Sequence, residues 1–436
     1  MKVKKIIHIT LLVLFFFRGV FELMGFYPRM VNFIALALVA ILFGTTLLRK
    51  KKRLPYFFTF LALGVVCIIS GPILNGTSLT SAFFFFRQLL LLQYMYLVII
   101  VNEPDDDIIR TVYNTVLILF IIQIPANFIK YILVGTSERY IGTMSVAQGS
   151  LTAVFTMFAI AILFSKYLYT KDKKLILYMF LFLMFNAIGI KRATLFYLPI
   201  IMFIISIYYM KIINLRPVII IRSVVLFGIM SFAVTYFIVR TNPSLNKEGK
   251  VGGSFDLNYV TEYIQQYNQE RGLNLNQYGA TIMSRPQALS YMYGYLLRQD
   301  MDTILFGEGA GKLSVTNVPE GVTPLSYYYG ISYGGRMGIV WIFIQVGFIG
   351  AIIFLYLLVK MLIYTLKFKP VTYHNLAFLG IWMVVILDLL TYSPTFINYF
   401  VINGTFFLYF GLFYRDKAMK HNFLSNINSS IHLKLT

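Results

Sequence analysis

The chain has 436 residues, of which 58% are hydrophobic and 17% aromatic, while only 13% are charged. A single water-soluble core cannot bury so much apolar surface, so this composition excludes a soluble globular protein and indicates an integral membrane protein. The formal net charge of +21 would suggest nucleic-acid binding in a soluble protein. Here the positions of the basic residues give them another role, and we expect no nucleic-acid partner.

Apolar segments long enough to cross a bilayer recur along the chain. A hydrocarbon layer about 30 Å thick needs roughly 20 apolar residues in a helix, and lipid satisfies no backbone polar groups. We therefore predict an all-α polytopic membrane protein with about 12 transmembrane helices. The predicted segments are 6–26, 31–48, 55–74, 83–101, 111–134, 149–168, 175–190, 193–211, 217–239, 336–359, 375–391 and 399–414. The pair 175–190 and 193–211 is also compatible with a re-entrant hairpin.

One long polar interruption divides these segments and predicts the domain organisation. Residues 1–239 form an N-terminal transmembrane bundle of about nine helices. Residues 240–335 form one large, partly helical extracytoplasmic loop. About three C-terminal transmembrane helices follow in 336–414, and 415–436 form a cytoplasmic tail.

Basic residues fall in alternate gaps between the predicted helices, which sets the orientation. Since short cytoplasmic loops carry an excess of Lys and Arg, both termini are predicted to be cytoplasmic and the long loop extracytoplasmic. The basic residues in these gaps are Lys2, Lys4, Lys5, Arg49–Arg53, Lys171, Lys173, Lys174, Lys211, Arg216, Arg222, Lys360, Lys367, Lys369, Arg415, Lys417 and Lys420.

Four other basic residues fall on the predicted outer side, where the insertion rule disfavours them. Lys191 and Arg192 interrupt two short apolar stretches at a predicted outer turn, Arg87 is near the outer end of the fourth segment, and Arg139 is in the following outer loop. Such residues either extend to the lipid headgroups or bind a ligand. Guanidinium groups gathered on one side favour an anionic ligand such as a phosphate, which the planar fork binds with two hydrogen bonds.

The long loop carries two segments with helical spacing of tyrosine and aliphatic residues, 258–267 and 285–298. Pro286 fits the first turn of the second helix, with Ser284 or Arg285 before it. Tyr291 and Tyr295 on that helix are candidates to stack on sugar rings, or alternatively to pack at a membrane interface.

A glycine-rich run follows, from Leu305 to Lys312. Its spacing and the residue after Lys312 do not match the nucleotide-binding P-loop, which excludes ATP binding there. The run is instead predicted to be a turn that brings backbone close to a ligand. The sequence indicates no metal site and no cofactor.

With these features the chain resembles the Wzy-type polysaccharide repeat-unit polymerases, relatives of the O-antigen ligases. The resemblance rests on the number of spans, the large outer loop late in the chain, the Lys-Arg-Ala turn at 191–193, and the Phe-Gly-x-Gly-x-Gly run at 306–311. It implies a glycosyltransferase that moves a glycan from a polyprenyl-diphosphate carrier onto another lipid-linked repeat unit. The implied partners are that donor and acceptor, membrane lipid and a chain-length regulator protein.

The implied chemistry assigns roles to the outer-side residues. Breaking the bond between the anomeric carbon and the lipid diphosphate leaves negative charge, which fixed cations stabilise. The predicted arginine clamp and substrate-binding residues are Arg192, Arg285, Arg298 and Arg336, with Arg87, Arg139 and Lys191 behind them. Glu308 is the preferred general base for the acceptor hydroxyl, ahead of Glu138 and Glu320.

Two alternatives stay open at this point. An O-antigen-type ligase of the same superfamily is understood to use an outer-loop histidine, whereas the four histidines here (His8, His374, His421 and His432) fall on or near the predicted cytoplasmic side. A transporter or flippase of lipid-linked oligosaccharide is the alternative of another class. Asp388, an acidic residue inside the eleventh segment, would then couple protons; the alternative is that it pairs with an outer-face arginine and lines the catalytic cavity.

Overall fold

The computed structural model describes most of the chain, with gaps. The described residues are 2–25, 28–50, 52–134, 142–144, 149–188, 193–212, 218, 232–233, 235–237, 239–241, 245–250, 252–262, 281–313, 324–333, 337–367, 372–391 and 393–415. All structural statements below concern these ranges.

The described chain is predominantly helical. Its first half contains α1 (Lys2–Phe16), α2 (Arg18–Leu23), α3 (Pro28–Leu47), α4 (Phe57–Ile68), α5 (Leu79–Phe86), α6 (Leu92–Asn102), α7 (Asp106–Val134), α8 (Gly149–Thr170), α9 (Lys174–Ile188) and α10 (Ala193–Ile212). Two π-helical turns extend this set: Ile69–Leu74 continues α4, and Arg87–Leu91 joins α5 to α6.

The second half contains shorter elements and then long helices again. They are β1 (Thr281–Met283), α11 (Arg285–Leu296), α12 (Met301–Phe306), α13 (Pro324–Tyr329), β2 (Ile331–Tyr333), α14 (Gly338–Leu366), α15 (Tyr373–Thr391) and α16 (Thr395–Asn398), and α17 covers 400–415. The two strands pair in parallel, with Thr281 opposite Ile331. This ladder ties the start of α11 to the segment that leads into α14.

Seven helical stretches in the described ranges are long and apolar enough to cross a membrane, so the protein is a membrane protein. They are Met30–Leu47, Phe57–Leu74, Leu79–Asn102, Asp106–Leu133, Leu151–Thr170, Gly338–Leu366 and Tyr373–Thr391. Two shorter apolar helices are Lys174–Met184 and Tyr197–Lys211. Every apolar segment predicted above except 217–239 coincides with helix, whereas most of 217–239 lies outside the described residues. The count of about 12 spans stays a prediction.

The central helices of the bundle differ from the peripheral ones in burial. Within their apolar stretches, 78% of α8 and 67% of α15 is buried, against 28% of α3 and of the α4 stretch. Because lipid solvates apolar side chains, the exposed faces of α3 and α4 are the lipid-facing surface, while α8 and α15 form the interior.

One end of the bundle collects ion pairs between distant parts of the chain, and we call it the basic end. Lys5 Nζ lies 3.0 Å from Asp107 Oδ2, and Arg49 lies 3.8 Å from Glu103. Arg415 Nε donates to the Glu103 carbonyl over 3.0 Å. Residues predicted to share the cytoplasmic side therefore do meet at one end.

The opposite end, which we call the loop end, gathers the other connections. The Gly19 N–H donates to the Thr143 carbonyl over 2.8 Å, and Gln88 Nε2 donates to Asn398 Oδ1 over 2.7 Å. A second, smaller apolar cluster lies here beneath the loop segments. Its buried members are Met292, Leu313, Leu325, Tyr329, Ile331, Met337, Ile339, Val340 and Ile344.

Candidate functional site

The glycine-rich run forms a buried turn at the loop end, directly after α12. Gly307 ends that helix with φ 82° and ψ 179°, a backbone conformation that glycine adopts without steric cost. Residues 307–311 are all buried. We call Gly307–Gly311 the glycine turn. The predicted turn is present, and its described backbone contacts are with two membrane helices. Its predicted role beside a ligand stays a prediction.

The first of these helices is α14, which is broken where the glycine turn docks. Gly347 has φ 61° and ψ −164°, which interrupts the helical hydrogen bonds. The Glu308 N–H donates to the Ile344 carbonyl over 2.7 Å, and the Gly311 N–H donates to Gln345 Oε1 over 3.0 Å. The turn thus satisfies polar groups that the broken helix leaves without intrahelical partners.

The second contact is with the residues that directly follow the π-helical continuation of α4. Asn75 Nδ2 donates to the Gly307 carbonyl over 3.0 Å, and Thr77 Oγ1 donates to the Ala310 carbonyl over 3.2 Å. Ser70 Oγ donates to the Gln345 carbonyl over 2.5 Å, which links the two membrane helices directly. The glycine turn is therefore fixed from both sides.

The Glu308 side chain lies at the centre of a polar cluster and is only 9% exposed. Its Oε2 accepts hydrogen bonds from Lys312 Nζ and, over 3.0 Å, from the Tyr329 hydroxyl. Lys312 Nζ also lies 5.4 Å from the centre of the Tyr328 ring, within cation–π range. Burial of a carboxylate requires such partners. We call Glu308, Lys312, Tyr329 and Tyr295 the Glu308 cluster.

The two tyrosines of this cluster stay protonated at physiological pH. Burial, followed by the charge of Glu308, raises the pKa of Tyr295 to about 12. The same two causes raise the pKa of Tyr329 further, since its hydroxyl donates directly to the carboxylate. Both hydroxyls therefore remain hydrogen-bond donors toward Glu308.

Helix α11 carries Tyr291 and Tyr295, whereas Tyr329 ends α13. Ser284 caps its first turn by accepting from the Gln287 N–H, and the Gln287 side chain accepts from the Ser284 N–H in return. This capping box, with Pro286 in the first turn, is the start that the sequence predicted. The Tyr291 hydroxyl reaches the Tyr329 carbonyl over 3.5 Å.

Arg298, the predicted clamp residue, follows the last turn of α11. Its N–H donates to the Tyr295 carbonyl over 3.1 Å, and its side chain is exposed. The structure thus places three sequence-predicted residues, Tyr291, Tyr295 and Arg298, on α11 and the turn that ends it, while Glu308 lies in the glycine turn after α12.

Arg285 and Asp388 lie near each other at the loop end. Asp388 Oδ2 accepts from the Phe396 N–H over 2.8 Å, and its carbonyl accepts from the Ser393 N–H over 3.0 Å. The Arg285 guanidinium is close enough to interact electrostatically with the Asp388 carboxyl group. Asp388 therefore shapes the link from α15 to α16 and lies close to the start of α11.

Arg87 is half-buried in the π-helical turn after α5. Its guanidinium lies 5.0 Å from the centre of the Phe84 ring, one turn earlier in the same stretch. This contact, within the described part of the chain, is with α5. It does not bring Arg87 to the Glu308 cluster.

The remaining predicted residues lie outside the described ranges: Arg139, Lys191, Arg192, Arg336, Glu138 and Glu320. The helices around 189–192 are nevertheless connected to the loop end. Thr194 Oγ1 donates to Asn186 Oδ1 over 2.8 Å, and the Tyr197 and Thr391 hydroxyls lie 2.6 Å apart. The second contact joins α10 to the end of α15, the helix that carries Asp388.

Sequence reasoning missed Ser70, Asn75, Thr77, Gln345 and Gly347, the residues that hold the glycine turn. A weak signal was available, since Ser70, Pro72, Asn75 and Thr77 cluster at the end of an apolar segment. No protein-family model matches the chain, and no curated protein matches it.

Proposed function

We propose that the chain is a Wzy-type polymerase that joins polyprenyl-diphosphate-linked oligosaccharide repeat units into a surface polysaccharide. One observation carries the proposal: a buried glutamate, fixed on a rigid turn at the end of a membrane bundle, beside a helix with exposed tyrosine and arginine side chains. A rigid carboxylate next to cationic and aromatic groups suits glycosyl transfer from an anionic lipid donor.

In the proposed step, an acceptor sugar hydroxyl attacks the anomeric carbon of the donor glycan. The new bond between carbon and acceptor oxygen forms as the bond from that carbon to the lipid diphosphate breaks. The hydroxyl proton passes to Glu308, and the leaving diphosphate keeps the electron pair. Arg298 and Arg285, together with Arg192 and Arg336 from the sequence prediction, stabilise the charge on the diphosphate. Lys312 and Tyr329 hold the Glu308 carboxylate in place.

The proposed setting has about 12 spans, with 240–335 on the outer face of a bacterial cytoplasmic membrane and both ends of the chain in the cytoplasm. Support comes from the basic end, where Lys5, Arg49 and Arg415 meet, because cytoplasmic ends of membrane proteins are enriched in such residues. The donor and acceptor would meet the Glu308 cluster at the loop end, and a chain-length regulator would act there.

Deletion of the gene, with complementation by the intact chain and by variants, tests the proposal. Lipid-linked and surface glycans would be resolved by gel electrophoresis and mass spectrometry. We expect single repeat units in place of a long ladder in the deletion strain, and restoration by the intact chain but not by Arg298→Ala. Long chains retained on their lipid carrier would indicate a ligase instead. Repeat units trapped on the cytoplasmic side would indicate a flippase and contradict the catalytic role.

A further inference from the structure

Helix α11 has an exposed apolar flank that the Glu308 cluster does not use. Neighbouring residues are separated by about 100° around a helix of 3.6 residues per turn. Ala288 and Met292 therefore share one flank, which is buried. Leu289, Tyr293 and Leu297 share the next flank, and their exposed fractions are 46%, 60% and 55%.

The third flank of α11 is polar. Gln287, Tyr291 and Arg298 lie there, and all three are exposed. A helix that divides its exposed surface into an apolar and a polar flank has the pattern of a helix lying in a membrane interface.

The depth of α11 along the bundle agrees with this pattern. Met292 shares the smaller apolar cluster with Ile339 and Ile344, which belong to the first two turns of α14. Lys360 follows Ile339 by about six turns, at most about 30 Å along α14 at 1.5 Å per residue, and its ammonium lies over the Tyr356 ring. This separation matches a hydrocarbon layer about 30 Å thick. The first turns of α14, and α11 with them, therefore lie at the opposite membrane boundary.

We propose that α11 is an interfacial helix whose apolar flank, Leu289, Tyr293 and Leu297, inserts into the lipid leaflet at the loop end. Tyrosine is favoured at that depth because its ring is apolar and its hydroxyl reaches water. The same anchoring holds the polar flank, with Tyr291, at the membrane depth where the diphosphate of a lipid-linked glycan leaves the hydrocarbon layer. The insertion itself does not depend on the proposed reaction.

Site-directed spin labelling of the full chain in lipid nanodiscs tests the insertion. Single cysteines would replace Leu289, Tyr293 or Leu297 on the apolar flank, and Gln287 or Tyr291 as matched controls on the polar flank. The native Cys67 is 1% exposed and stays in place, with the unsubstituted chain as the labelling blank. The nanodiscs contain phosphatidylethanolamine and phosphatidylglycerol, and collision rates are measured with oxygen, which concentrates in lipid, and with a water-soluble nickel chelate.

Labels at 289, 293 and 297 are expected to collide at least several-fold more with oxygen, relative to the nickel chelate, than labels at 287 and 291. Equal ratios on the two flanks would overturn the proposal, since α11 would then stand in water. Exclusion of both reagents at 289, 293 and 297 would also overturn it, because a protein surface would cover the flank. Since the readout is accessibility, a chain without polymerase activity would still give either result.

Discussion

At the scale of single residues, Glu308 is the most constrained ionisable side chain of the candidate site. Its backbone N–H is fixed by the Ile344 carbonyl, and its carboxylate by Lys312 and Tyr329. A carboxylate held in this way has little freedom to rotate away from a bound hydroxyl. That restriction favours catalysis, because a catalytic group that is already oriented loses less entropy on reaching the transition state.

Glu308→Gln removes the proposed proton acceptor but keeps the shape of the side chain. We expect the polymerisation rate to fall by about 10²-fold to 10⁴-fold, the usual contribution of a general base, while the protein still inserts. Repeat-unit consumption with purified lipid-linked substrate would measure this. Glu248→Gln is the matched control, since Glu248 pairs with Lys250 over 2.7 Å in the same polar region and is exposed. Equal rates for Glu308→Gln and the intact chain would exclude Glu308 as the base.

Asp388 offers a second residue-scale comparison, between Asn and Ala. Because its carboxylate accepts the Phe396 N–H, we expect Asp388→Ala to lower the stability by about 1–3 kcal/mol, the penalty for a buried donor without a partner. Asp388→Asn keeps an acceptor and is expected to lose less. Thermal unfolding in detergent would compare the two variants. Intact stability of both, with loss of substrate transport in both, would favour proton coupling in a transporter.

At the scale of elements, the glycine turn and the break in α14 depend on each other. A Cβ on Gly307 would lie 2.6 Å from the Gly347 nitrogen, so neither backbone can move closer or accept a side chain. On its other side, the glycine turn is held by Asn75 and Thr77, which directly follow the π-helical turn at the end of α4. The glycine turn, the break in α14 and the π-helical turn thus stabilise one another. Regular helices at the last two positions would leave no room for the glycine turn.

Gly347→Ala tests this dependence. The backbone at Gly347 is one that other residues adopt only at a cost of about 1–3 kcal/mol, and the new methyl group would also contact Leu305. We expect a clear drop in the unfolding temperature in detergent and loss of activity. The matched control is Gly294→Ala in α11, where a Cβ meets no atom within 4 Å. That change is expected to stabilise the helix by roughly 0.5–1 kcal/mol. A similar loss in both variants would contradict the role given to Gly347.

The sequence predicted the elements better than their irregularities. Apolar length alone located eleven of the twelve predicted segments on helices, and Ser284 with Pro286 marked the start of α11. The break at Gly347 could not be predicted, because glycine is common in membrane helices and the break depends on a turn distant in sequence. For the same reason, the pairing of Glu308 with Tyr329 leaves no spacing pattern.

At the scale of the whole molecule, the two ends of the bundle differ chemically: the basic end has ion pairs, and the loop end has hydrogen bonds. The basic end joins Lys5 to Asp107 and Arg415 to Asp106. At the loop end, described contacts connect the glycine turn with α4 and α14. The alternation predicted from Lys and Arg is consistent with this separation.

Reporter fusions would test which end of the bundle lies on which side of the membrane. Alkaline phosphatase, which is active only outside the cytoplasm, is expected to be active when inserted after Glu248 and inactive when fused after Lys173 or after Arg415. A green fluorescent protein fused at the last two positions should fluoresce. The reverse pattern would place the Glu308 cluster in the cytoplasm and contradict a reaction at the outer face.

The docking of the glycine turn also bears on how the protein is made. Asn75 and Gly307 are 232 residues apart, which corresponds to about 10 to 50 s of synthesis at typical rates. During that interval α4 has left the ribosome with its outer polar groups lacking the partner that will later cover them. The N-terminal helices are therefore in the bilayer before the glycine turn can cover these polar groups. Until then, water at the interface or the insertion machinery must satisfy their hydrogen bonds. The reaction site would be completed only when the last third of the chain arrives.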